Sequence, residues 1–202
     1  MKKITTFVLL TIAFSTAAIA QFDAKKIAIG GNIGIDYQQN KYKDASAYGN
    51  VSVAFLPEIE GFLTSRFSIG GRIGYLGSFP IGDQSDKITS SSFLIGPYVK
   101  QYFSLGDYVA FFIKENMDIA VSAITTEYNG DKTKATGFGV GIGVTPGLAV
   151  KLSRKVMFET SMGLLGFSIS TATSEGGNTL TQTNVSVKVN PSSIQFGVKI
   201  IL

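Results

Sequence analysis

The chain has 202 residues, with 18 Lys+Arg against 14 Asp+Glu, 23 Gly, and no Cys, His or Trp. That is one domain's worth of chain, and without cysteine or histidine it has no disulfide framework, no common zinc site and no Ser-His or Cys-His catalytic arrangement. Charged residues make up only 16%, against roughly 25% in ordinary soluble domains, which points to lipid contact. Beyond residue 20 the balance is 16 basic against 14 acidic residues, so no nucleic-acid footprint is present.

Met1-Lys2-Lys3 is a positive start, Phe7 to Ala17 an apolar core, and Ala18-Ile19-Ala20 a small-residue cleavage box. The pattern predicts a signal peptide over residues 1–20, removed before Gln21, and export of residues 21–202 as a single barrel domain. A helical membrane span needs roughly 18 apolar residues or more. The longest uncharged internal run, Ala135 to Val150, has 16 residues and carries five glycines and Pro146, so it is not a helix.

From there apolar residues recur at every second position, the strand period. Ile27, Ile29, Ile33, Ile35 and Tyr37 share one face of the first segment. Val51, Val53, Phe55 and Ile59 do so in the second, Phe67, Ile69, Ile73 and Tyr75 in the third, and Phe93, Ile95, Val99 and Phe103 in the fourth. The fifth carries Val109, Phe111, Ile113, Met117, Ile119 and Val121, with Glu115 interrupting the pattern, which predicts a bulge or a local strand end there. In the sixth, Phe138, Val140, Ile142, Val144, Leu148 and Val150 alternate with glycines. The seventh runs from Val156 past Phe158 and Met162, its parity blurring at Leu164-Leu165. The eighth ends on Ile194, Phe196, Val198, Ile200 and Leu202; Val185 to Val189 alternate out of phase with it, predicting a bulge at Asn190-Pro191. Short turns are expected near Thr64–Arg66, Ser104–Asp107 and Ser153–Lys155. Long polar loops are expected at Gln38–Ala47, Phe79–Ser90, Ile124–Thr136 and Thr171–Thr183. Alternating short and long connections between long strands predict an all-β fold, an eight-stranded antiparallel transmembrane β-barrel with up-and-down meander. A soluble lipocalin-like barrel would show water a face of mostly Gly, Ala and Ser, so the apolar-outside arrangement fits better.

The chain resembles the small outer-membrane β-barrels of the OmpA/OmpX-like kind, which are eight-stranded. The resemblance rests on the exported start, Pro57-Glu58-Ile59-Glu60-Gly61-Phe62 before a short turn, and Gly96-Pro97-Tyr98 opening the fourth strand. Ser193 to Leu202 is similar to the family's C-terminal assembly signal, with Phe196, Val198, Ile200 and Leu202 alternating; the family usually closes on an aromatic, and Leu202 departs from that. The resemblance implies residence in the outer membrane, lipid contact and insertion by the barrel-assembly machinery, and covers the barrel without a peptidoglycan-binding domain.

The polar face gathers Glu58, Glu60, Arg72, Lys100, Lys114, Asp118, Lys151, Glu159 and Lys199. An eight-stranded lumen is only wide enough for side chains, and buried charges must be paired. These residues are therefore expected to form a structural network that closes the lumen. Asp83, Asp86, Glu127, Asp131 and Glu175 stud the loops without calcium-loop spacing, and no cofactor or metal is implied. Tyr37, Tyr48, Tyr75, Tyr108 and Phe103 are candidates for the interfacial girdles. The barrel-enzyme families (acyltransferases, deacylases, phospholipases and aspartyl-type proteases) all use a histidine, which this chain lacks. The expected function is therefore a non-enzymatic barrel, structural or binding an unidentified extracellular ligand through its long loops. A small transport pore or a secreted lipocalin-like binder are the alternatives.

Overall fold

The structure, a computed structural model, describes residues 24–40, 48–82, 86–128, 130–163, 165–175, 179–187 and 194–202. The signal peptide and the bulge expected at Asn190-Pro191 lie outside the described residues. Ten strands follow in chain order: β1 (Ile27–Asn40), β2 (Tyr48–Phe62), β3 (Phe67–Ile81), β4 (Asp86–Ser104), β5 (Val109–Tyr128), β6 (Asp131–Lys151), β7 (Val156–Ser161), β8 (Leu165–Ser174), β9 (Thr179–Val187) and β10 (Gln195–Ile201). Neighbours in sequence pair antiparallel from β1 to β6. β6 then pairs with both β7 and β8, β9 pairs with β8, and β10 joins β7 to β1. β7 with β8, and β9 with β10, are thus the halves of the seventh and eighth staves. The pairs from Ala28–Ile201 to Gly34–Gln195 close the ring. Among the described residues no helix is long and apolar enough to cross a membrane.

The interruption of the seventh stave explains its blurred parity. Gly147 faces Ser161 and Val144 faces Leu165. Between these pairs β6 advances three positions and the seventh stave four. One extra residue flips which parity faces the lumen, as a bulge does. Met157, Glu159 and Ser161 are buried on β7, whereas Leu165, Phe167 and Ile169 are exposed on β8.

Glu115 marks neither a bulge nor a strand end. β5 runs unbroken, and Glu115 faces Val99 on one side and Val144 on the other in unshifted register. The backbone ladder does not depend on what the side chain is, so Glu115 stays in strand and points outward, exposed.

Three of the four long loops are mostly strand. β3 continues to Ile81 and β4 starts at Asp86; β5 continues to Tyr128 and β6 starts at Asp131. Thr125, Thr126, Thr133 and Thr136 read as loop by polarity, but β-branched side chains suit a ladder, and each has a partner across β5 and β6. Gly130, with φ of 91°, takes the tight turn that only glycine adopts without strain. β1 reaches Asn40, and β8 and β9 reach into the segment expected as the last loop. The short turns, at 63–66, 105–108 and 152–155, fall where expected.

The apolar face is outside: Ile33, Ile35, Phe55, Ile73, Phe93, Ile95 and Ile142 are each more than half exposed. Glu58, Glu60, Lys100, Lys114, Glu159 and Lys199 are buried within.

Candidate functional site

The lumen is built in layers from the short-turn end. The lowest is apolar, with Ala28, Phe62, Tyr102, Ala110, Phe112, Ala149, Met157 and Ile201 all buried. This layer departs from the interior of small and polar residues the sequence suggests. The narrow end must be filled without gaps, and aromatic rings fill it: Phe62 and Phe112 each sit 5.8 Å from the Tyr102 ring.

Above it lies a charge cluster. Alternation brings Glu58 and Glu60 inward from β2, Lys100 from β4, Lys114 from β5, Glu159 from β7 and Lys199 from β10. Lys100 Nζ donates to Glu60 at 3.2 Å and Glu159 at 2.9 Å, and Lys114 Nζ donates to Glu58 at 2.9 Å. Lys199 Nζ is the hub. It donates to Glu60, and lies 3.0 Å from Glu58 and 3.4 Å from Glu159. Three lysines thus meet three carboxylates, and all six residues are buried. Desolvating one charge costs several kcal/mol (order of magnitude), so only such mutual pairing makes the arrangement tolerable. Tyr102 Oη donates to Glu60 at 2.6 Å, Ser68 Oγ donates to the same carboxylate, and Lys100 Nζ stands 4.6 Å from the Phe112 ring centroid.

A third level carries Arg72, whose Nε and Nη2 donate to the two Asp118 oxygens at 2.9 and 2.6 Å, while Asn116 donates to Asp118 at 2.6 Å. Of the nine charged residues expected together, eight fall into these two levels. Lys151 does not; it is half-buried at the short-turn mouth, beside Lys26 and Arg154. Its parity is lumenal, but as the last residue of β6 it lies below the apolar layer. Tyr102, Ser68 and Asn116 were not singled out from the sequence. Their signal was their place on the polar parity.

Above the third level the lumen opens. A cavity of about 310 Å³ is lined by Gly34, Asp36, Ser52, Ala54, Ser78, Ser90, Ser92 and Gln195 among others. Ser52 and Ser78 hydrogen-bond each other at 3.1 Å. These short side chains leave the space that bulky ones fill lower down. Among the described residues no group of three His, Cys, Asp or Glu is arranged to hold a metal ion; the three carboxylates of the cluster are taken up by lysines. Of the loop acids, Glu127 pairs with Lys132 at 3.6 Å, while Asp131 and Glu175 are exposed. Asp83 and the side chain of Asp86 lie outside the described residues. Of the girdle candidates, Tyr37 and Tyr108 are exposed toward strand ends and Phe103 is half-buried near the end of β4. Tyr75 is mid-strand, its ring 5.3 Å from that of Phe93, because β3 runs on to Ile81. The side chain of Tyr48 lies outside the described residues.

The chain matches the family model described as "Outer membrane protein beta-barrel domain" over residues 6–199. Its fold is similar to that of the outer membrane protein OprG from Pseudomonas aeruginosa, with a TM-score of 0.52, 10% identity, and 91% of this chain and 99% of that one covered. The translocator domain of autotransporter NalP from Neisseria meningitidis is similar at a TM-score of 0.50 and 12% identity, covering 91% of this chain and 65% of that one. Ail, the attachment invasion locus protein of Yersinia pestis, aligns at a TM-score of 0.42 and 8% identity over 89% and 96% of the two chains. No curated protein sequence matches the chain significantly.

Proposed function

Because the chain belongs to the outer membrane protein β-barrel family, we propose that it is a non-enzymatic, closed barrel that presents a binding surface outside the cell. The observation that carries this reading is the packed lower lumen, where a buried apolar layer lies below a buried cluster of three lysines and three carboxylates. No buried group there is left accessible to act on a substrate. The opposite end is where the molecule has material to spare. A strand needs only about 9–11 residues to cross the membrane, whereas β4, β5 and β6 have 19, 20 and 21. Their surplus makes a rigid, threonine-rich wall standing clear of the lipid, and this wall takes the part of the long loops. The signal peptide over residues 1–20 and insertion by the assembly machinery belong to the same reading.

The test is capture by the purified, folded full chain and by a variant lacking residues 127–134, the tip of the β5–β6 hairpin. Material from the extracellular milieu that binds the full chain and not the variant is the expected result. Equal capture by both overturns the assignment of binding to this wall.

A further inference from the structure

The short-turn rim is strongly basic. Lys25, Lys26, Arg66, Lys151, Arg154 and Lys155 stand there against Asp107, whereas at the hairpin end Lys87, Lys132 and Lys134 are balanced by Glu127, Asp131 and Glu175, counting described side chains. The backbone that carries these cations is fixed by the fold. Ile201 N donates to Lys155 O at 2.8 Å, Leu202 N to Ile27 O at 2.8 Å, and Phe62 N to Lys26 O at 2.9 Å. These bonds set the ends of β7, β10, β1 and β2 side by side. Ser153 Oγ accepts from Lys155 N at 3.2 Å and from Val156 N at 3.1 Å, holding the turn that displays Arg154 and Lys155. Lys25 adopts φ of 69°, a left-handed conformation disfavoured for a side chain of its kind, at the entry to β1.

Between these ends lies a cleft of about 500 Å³. Lys26, Lys151, Arg154 and Lys155 line it together with Phe62, Ile200, Ile201 and Leu202. Lys26, Arg154 and Lys155 are exposed and form no ion pair with any described carboxylate. Inside the lumen every lysine of the cluster is paired; here three cations converge beside an apolar floor, with no Asp or Glu side chain among the residues that line the cleft. An anion with an apolar body complements that surface, and the membrane supplies one at this depth.

We infer that this cleft seats the phosphate of an anionic phospholipid headgroup from the leaflet on the short-turn side. The inference rests on the outer-membrane reading above, with short turns toward the periplasm. Lys26, Arg154 and Lys155 hold the phosphodiester, and Ile200 and Leu202 lie against the start of an acyl chain. Basic side chains beside an anionic leaflet contribute about fivefold each to affinity.

The test uses the refolded full chain in detergent, with phosphatidylglycerol and phosphatidylcholine of equal chain length offered in competition and bound lipid counted by native mass spectrometry. Wild type is expected to prefer phosphatidylglycerol by at least about tenfold, on that per-cation scale. Lys26→Gln with Arg154→Gln and Lys155→Gln is expected to abolish the preference, while Lys87→Gln with Lys132→Gln and Lys134→Gln is expected to keep it. Millimolar inorganic phosphate is expected to leave the lipid bound; displacement by it would mean a free-phosphate site and would overturn the lipid assignment. Equal binding of both lipids by wild type, or equal loss in both variants, would overturn it too. Heat-shifted gel mobility and insertion into liposomes are measured first. A chain that does not insert refutes the outer-membrane reading, whereas one that inserts without lipid preference refutes this inference alone.

Discussion

Lys199 shows how much one residue decides. It meets Glu58, Glu60 and Glu159 at once, so Lys199→Met leaves three buried carboxylates with two lysines. The expected loss is about 3–5 kcal/mol, read as a lower urea midpoint for the folded gel band in lipid. Asn32 is the contrasting case. It is buried and its Nδ2 has no partner, so replacing it by a non-polar residue of similar size removes an unsatisfied donor rather than a bond. Glu115 is an outward-facing acid in the lower half of β5, flanked by outward Ile113 and Met117. Glu115→Leu is therefore expected to stabilise the barrel, by up to about 2 kcal/mol, since carboxylates on the lipid face cost less than basic residues. A midpoint that falls in the same urea titration would show that Glu115 has a favourable partner in the membrane.

Along a strand, the two faces have opposite tolerance. Ile142 is 55% exposed to lipid on β6, and Ile142→Asp is expected to block assembly, seen as loss of the heat-modifiable band. Its neighbour Gly141 has lumenal parity opposite Asp118, where an added Cβ meets the Phe167 carbonyl oxygen and Ser168 Cβ at an ordinary 3.4 Å, so Gly141→Ser is expected to fold. Lower on the same strand, a Cβ at Gly147 would come within 2.5 Å of the Thr160 carbonyl oxygen and closer still to the Phe112 ring. Gly147→Ala is expected to fail where Gly141→Ser succeeds. Removing residues 127–134 takes away only the surplus of β5 and β6. Thr125 and Thr126 then make a two-residue turn beside the surviving Ile124–Ala135 pair, and the barrel is expected to form.

At the scale of the whole molecule, the layered lumen sets permeability. Eight strands leave an interior that side chains can fill, while aqueous channels come with about 16–18 strands. Planar-bilayer recording of the purified protein is expected to show no steady large conductance. Phe62→Ala with Phe112→Ala empties the apolar layer, and Lys100→Ala breaks its contact with Glu60 and Glu159. The triple variant is expected to show brief small openings that wild type lacks. Porin-sized conductance from wild type would instead establish a transport pore. Lys151→Ala is expected to leave conductance unchanged, because Lys151 sits below the seal.

The alternation of Ile, Val and Phe with Gly and Ser was enough to determine strands, their number and which parity faces lipid, because a period of two is a local property of the extended backbone. The same alternation put Glu58, Glu60, Lys100, Lys114, Glu159 and Lys199 on the lumenal parity. Which carboxylate meets which lysine was decided only by closure, since Lys199 and Glu60 lie 139 positions apart in sequence and become neighbours through the β1–β10 pairing. The fate of Lys151 depended likewise on height within the barrel, a quantity set by the stagger of the strands and not by parity. Polarity alone misread the threonine-rich ends of β5 and β6 as loop, because the ladder that makes them strand exists only once the partner strand is in place. The extra residue near Leu165 blurred the pattern in sequence; only the pairing of β6 with both β7 and β8 turned that blur into a bulge.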